Sequence, residues 1–102
     1  MKTANEARTE TAEARKRLSE ERMARINKLL TDNDVSGKID AAIARGDTNT
    51  YVSMEKTDGL CGTEVTAAIK NVVRYLTQLG YFADSAWLRG DIYRIDIGWN
   101  WL

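Results

Sequence analysis

The sequence contains no histidine, no proline, a single cysteine and no excess of either charge. Without histidine, one copy of the chain cannot form a Cys–His or Ser–His catalytic pair. Cys61 has no second cysteine to pair with, which fits a reducing compartment. The 15 basic residues are balanced by 15 acidic ones, so the chain as a whole does not attract nucleic acid or anionic lipid. These absences predict a protein that is not an enzyme and binds no cofactor.

Long apolar runs are also absent. The first residues lack the apolar segment of a secretory signal peptide, and no apolar run is long enough to span a bilayer. We therefore expect an intracellular protein.

What the sequence does contain, first, is a long charged helix. Residues 3–30 are rich in Ala, Glu, Arg and Lys, which favour helix, and no proline interrupts them. Small or apolar residues recur at spacings of three and four, with Arg22 as an interruption: Ala4, Ala7, Thr11, Ala14, Leu18, Ile26 and Leu29. Because the first half of this stripe is small, we expect a helical arm (1–30) that projects or packs against another copy.

Residues 31–102 are predicted to form a small α+β globular domain. After a short second helix that ends at Gly46, a strand is expected at 50–54 and the clearest helix at 63–79. Two further strands, 81–88 and 92–101, form a hairpin around Arg89-Gly90-Asp91. This β-α-β-β order predicts a three-stranded sheet packed on one helix. Helix 63–79 is expected to begin with Thr63 as its N-cap and to end at Gly80, with Tyr81 closing a Schellman motif.

The segment that follows the arm resembles an EF-hand calcium loop. Asp32, Asp34 and Ser36 occupy the first three ligand positions, but position twelve is Ile43 instead of the bidentate glutamate. We therefore predict no ion here, although the loop could be tested for one. The expected structure is a polar turn capped by Asp32 or Asp34, before a short helix whose inner face is Ile39, Ala42 and Ile43.

Eight residues are candidates for contact with a partner. Six lie on the arm, where small side chains allow close helix packing and arginines supply charge, and two are tryptophans near the end of the sequence: Ala4, Ala7, Ala14, Leu18, Arg22, Arg25, Trp87 and Trp101. Trp99 shares a strand face with Ile95 and Ile97, so it is expected in the core. For Trp101, core and interface both stay open.

Three short segments together resemble small uncharacterised proteins of tailed bacteriophages. The matching residues are Ile39, Ala42, Ile43 and Gly46, then Leu76, Leu79, Gly80 and Tyr81, then Ile95, Ile97, Gly98 and Trp99. The resemblance implies a phage or prophage setting, a location in the host cytoplasm or the virion, and a role in binding or assembly. It brings no catalytic residues.

The leading hypothesis is a non-enzymatic phage protein that acts by protein–protein interaction, assembling with itself or with the virion. One alternative is a phage inhibitor of a bacterial host (defence) protein, with Tyr51, Trp87 and Trp101 as its contact patch. Another is an accessory DNA-binding protein that uses the basic residues of the arm: Arg15, Lys16, Arg17, Arg22, Arg25 and Lys28.

Overall fold

A computed structural model describes residues 1–99, so Trp101 lies outside the described residues. Its elements are α1 (Ala4–Asp32), α2 (Val35–Ala44), β1 (Asn49–Met54), α3 (Thr63–Gln78), β2 (Phe82–Arg89) and β3 (Ile92–Gly98). The three strands form an antiparallel sheet in the order β1-β3-β2. The predicted α+β class, and the packing of the sheet on the third helix, are confirmed.

The core lies between one face of the sheet and the helices. Val52 pairs with Ile95, and four inward side chains of β1 and β3 are at most 3% exposed: Val52, Met54, Ile95 and Ile97. Helix α3 faces them with Val65, Ala68, Ile69, Val72 and Leu76, while α1 and α2 close the cluster with Ile26, Leu29, Val35 and Ile39. Since every helix packs into this one cluster, the sheet has a covered face and an open face.

The two ends of α3 differ from each other in how well they match the prediction. At the C-terminal end, Gly80 N–H donates to Thr77 O at 3.0 Å and Tyr81 N–H donates to Leu76 O at 3.1 Å. Gly80 has φ +98°, so this end is the predicted Schellman motif. At the other end Thr63 is not the N-cap. Gly62 takes that position, and its N–H donates to Asp91 Oδ1 at 3.0 Å, which ties the hairpin turn to the start of the helix.

The turn between α1 and α2 consists of two residues, Asn33 and Asp34, and Asp34, one of the two predicted caps, occupies the N-cap position of α2. Asp34 has φ +51° and makes no capping hydrogen bond with its side chain. Positions four to twelve of the segment that resembles a calcium loop lie inside α2, so no such loop exists. Ile43 was expected on the inner face but is 54% exposed, because Val35, Ile39 and Ala42 already fill the contact.

Asn33 is the side chain that organises this turn. Its Nδ2 donates to Leu29 O and to Lys56 O, both at 2.8 Å, and its Oδ1 accepts from Lys56 N–H at 3.0 Å. The amide therefore joins the end of α1 to the backbone that follows β1.

We expect Asn33→Ala to lower the free energy of unfolding by about 1–2 kcal/mol, because it removes three hydrogen bonds and leaves backbone groups of Lys56 without their partner. Urea unfolding followed by circular dichroism measures this loss. Asn27→Ala is the matched control, since Asn27 is exposed within α1. Equal stability of the two variants would contradict the bridging role of Asn33.

Candidate partner-binding surfaces

Most of α1 lies outside the core. Between residues 4 and 25 every side chain is exposed except Ala14, which is half-buried, whereas Ile26 and Leu29 are only 6% and 2% exposed. We call residues 4–25 the projecting segment. At 1.5 Å per residue it extends for about 33 Å, and the molecule measures 61 Å along its longest axis against 32 and 20 Å along the others. The packing against the domain thus begins only at the last two turns of the helix.

Three arginines form a line along the projecting segment. Arg8, Arg15 and Arg22 are seven residues apart, so they lie nearly in line with one another and with buried Leu29. Thr11 and Leu18 run beside them at the same spacing. We call these five residues the arginine stripe. Four glutamates lie away from the stripe: Glu6, Glu10, Glu13 and Glu20. Glu21 lies next to it and lines the groove between α1 and α3 together with Leu18 and Arg22.

The arm residues predicted to contact a partner all fall on the side of the arginine stripe. Leu18 and Arg22 belong to it, Ala4 lies in line with Arg22, and Ala7, Ala14 and Arg25 border it. Nearer the domain, Leu18, Arg22 and Arg25 line a groove of about 520 Å³ between α1 and α3, opposite a wall of Glu64, Ala67 and Asn71. Within residues 1–99, Arg15, Arg22 and Arg25 form no ion pair, so their charges are available to a partner.

Lys28 links the C-terminal end of α1 to the loop after β1. Its Nζ donates to Asp32 Oδ2 at 3.0 Å and lies 3.7 Å from Asp58 Oδ1 in the loop after β1. The hydrogen bond to Asp32, followed by the negative charges of Asp32 and Asp58, raises the pKa of Lys28 above its ordinary value of 10.5. A raised pKa in the folded state stabilises the protein below pH 10.5, and this contribution is lost only in strongly alkaline solution.

The second surface is the face of the sheet that no helix covers in the described part of the chain. We call it the open sheet face. The strand register places nine residues on it: Asn49, Tyr51 and Ser53 on β1, Phe82, Asp84 and Ala86 on β2, and Arg94, Asp96 and Gly98 on β3. Two large rings are half in solvent, with Tyr51 56% and Phe82 53% exposed.

The open sheet face carries slightly more negative than positive charge. Arg94 lies over the ring of Tyr51, 4.2 Å from its centroid, and its Nη2 lies 2.8 Å from Asp96 Oδ1. At the rim Arg45 Nε pairs with Asp47 Oδ2 at 3.1 Å. Asp84 is exposed and accepts only from the N–H of Ser85. Arg45, Asp47, Arg94 and Asp96 line a hollow of about 720 Å³ in which the two charges of each sign balance. Asp84 lies on the same face outside this lining and gives the face one more carboxylate than guanidinium group.

The structure does not bring the predicted aromatic patch together. Trp87 is 64% exposed, but it stands opposite Tyr93 on the covered side of the sheet, and its Nε1 donates to Gly90 O at 2.9 Å. Tyr51 is on the other side. Trp99 packs on the core beside Tyr81, with ring centroids 6.5 Å apart in an edge-to-face arrangement. Trp87 therefore stands apart from Tyr51.

Other groups with potential chemistry are dispersed. Within residues 1–99 no three His, Cys, Asp or Glu side chains are placed to hold a metal ion. Cys61 is exposed in the loop before α3, and Asp91 of the Arg-Gly-Asp sequence is held in the turn by Gly62 N–H. None of the helices in this part of the chain has the length and apolar character needed to cross a membrane.

Comparison with known proteins identifies no relative. No protein-family model matches the chain, and no significant match was found to any curated protein or solved structure. The resemblance to phage proteins therefore stays a prediction.

Proposed function

We propose that this chain is a non-enzymatic phage protein that acts by protein–protein interaction and assembles with itself, in the virion or while the virion is built. The observation that carries the proposal is the projecting segment, a long helix that buries no side chain against its own copy. A helix that is polar on most sides and lacks tertiary contacts is only marginally stable in water. Contact with a partner surface supplies what its own domain does not.

The direction of the arginine stripe supports the same proposal. The stripe continues the side on which Ile26 and Leu29 are buried, so apolar character persists through Leu18 beyond the edge of the domain. Its arginines are not neutralised within the described residues. A surface that combines arginine with apolar atoms is typical of a protein interface.

DNA binding is the second candidate, favoured by the line of Arg8, Arg15 and Arg22. A line of this kind can follow phosphates, and the resulting affinity would fall steeply with salt. We rank it lower because the same helix carries five glutamates and the whole chain has no net charge. The host-inhibitor alternative retains Trp87 and Tyr51 as exposed rings, but these lie on opposite sides of the sheet.

Self-assembly is tested by measuring the solution mass of the full chain and of a chain that begins at Arg22. We expect the full chain to exceed its monomer mass of 11.5 kDa at about 100 µM, where even weak contacts associate, and the shortened chain to be monomeric. The cut precedes Ile26, so the core is kept intact. Light scattering after size exclusion gives both masses, and a monomeric full chain would rule out self-assembly.

A further inference from the structure

We propose that the projecting segment of one copy lies on the open sheet face of a second copy, with its arginine stripe toward the strands. This inference rests on the proposed self-assembly and names the surface that receives the arm. In one copy, the helices of the described residues cover a single face of the sheet. When a helix from another copy covers the second face, the result is a three-layer structure.

The dimensions of the two surfaces match. The stripe runs from Arg8 to Arg22, about 21 Å at the rise of an α-helix. The strands at the centre and edge of the sheet, β3 and β1, contain 7 and 6 residues, or about 20–23 Å at the rise of a β-strand. The stripe is therefore long enough to lie along the full length of the strands.

The chemistry is complementary as well. Leu18 and Thr11 supply the apolar line of the stripe, and the exposed ring of Tyr51 and the methyl group of Ala86 supply apolar surface on the sheet. Ala7 and Ala14 border the stripe, and such small side chains let a helix approach a sheet closely. The arginines meet a face on which carboxylates outnumber guanidinium groups, with Asp84 forming no ion pair within residues 1–99.

Charge also distinguishes this contact from pairing between two arms. Two projecting segments that meet through their stripes would set Arg8, Arg15 and Arg22 of one copy against the same residues of the other. Like charges held together across an interface oppose association. The open sheet face instead offers the same stripe Asp84, a carboxylate that forms no ion pair within residues 1–99.

The size of the interface favours reciprocal exchange. The arm and the sheet are different surfaces, so a contact between them can add further copies head to tail and build an open chain. The assembly closes as a dimer when each copy's arm lies on the other copy's sheet. A reciprocal pair makes the contact twice, and each contact then needs only about half of the roughly 1,200–2,000 Å² typical of specific interfaces.

On the sheet side the test is Ala86→Lys, which places bulk and positive charge on the open face beside Arg94 of the central strand. Ala86 is exposed on an edge strand, where lysine is well tolerated, so the fold is preserved. We expect association, measured by sedimentation equilibrium, to weaken at least about tenfold, or roughly 1.4 kcal/mol. Gln78→Lys, at the exposed end of α3, adds the same side chain elsewhere and is expected to associate normally.

On the arm side, Arg15→Glu is compared with Lys16→Glu. The two substitutions change the net charge equally at neighbouring positions, but only Arg15 lies on the stripe. We expect Arg15→Glu to weaken association about tenfold and Lys16→Glu to leave it nearly unchanged.

The outcomes separate the two proposals. If the full chain associates through its arm while Ala86→Lys associates as tightly as Gln78→Lys, the arm meets another surface and this inference is wrong, although self-assembly stands. Equal effects of Arg15→Glu and Lys16→Glu would overturn it in the same way. A full chain that stays monomeric removes both proposals.

Discussion

Leu29→Ala is expected to lower the free energy of unfolding by about 3 kcal/mol. Leu29 is 2% exposed and lies in the core around the same small void as Met54, Leu60 and Val65, so its truncation enlarges a cavity that the core cannot close completely. Domains of this size are stabilised by about 5–15 kcal/mol in total, and the loss is therefore a substantial part of that stability. Urea unfolding of dilute protein, followed by tryptophan fluorescence, measures it.

Leu18→Ala is the matched control in the same helix. Leu18 is 53% exposed, and at protein concentrations below association we expect its truncation to change stability by no more than about 0.5 kcal/mol. The contrast tests whether α1 changes from a free helix to a core helix between Leu18 and Leu29. Similar losses in the two variants would mean that the helix packs along its whole length.

The fold could be predicted because its elements have strong local signals. In α3, apolar residues at helical spacing and the Gly80 stop predicted both the element and its Schellman end, which the backbone hydrogen bonds reproduce. The sequence-based expectations were wrong where several neighbouring residues could make the same capping or bridging hydrogen bonds. Asn33 lies between two aspartates that are equally good caps by type, and its role depends on Lys56, which lies far along the chain.

The two candidate surfaces differ in what the sequence reveals. The contact side of the arm follows from helical spacing alone, although the alignment of its arginines with buried Leu29 needs the packing of α1. The open sheet face combines three strands, and nothing local shows that β3 lies at the centre between β1 and β2. Strand register decides that Tyr51 faces away from Trp87, which is why the predicted aromatic patch was not found.

The central claim is that the projecting segment gains its contacts from a second copy. An exposed helix without tertiary contacts opens at almost no cost in free energy, so its amide hydrogens exchange rapidly in the monomer. When the protein concentration is a hundred times the dissociation constant, docking stabilises the helical state by about 2.7 kcal/mol. Amide exchange in the arm then slows about a hundredfold.

Amide hydrogen exchange of residues 4–25, measured at protein concentrations well below and well above association, tests this claim most directly. We predict that the amides of this segment become protected at the high concentration, while the shortened chain that begins at Arg22 shows no concentration dependence in its core helices. Equally fast exchange of residues 4–25 at both concentrations would contradict the account, because the arm would then make no contact with a second copy of the chain.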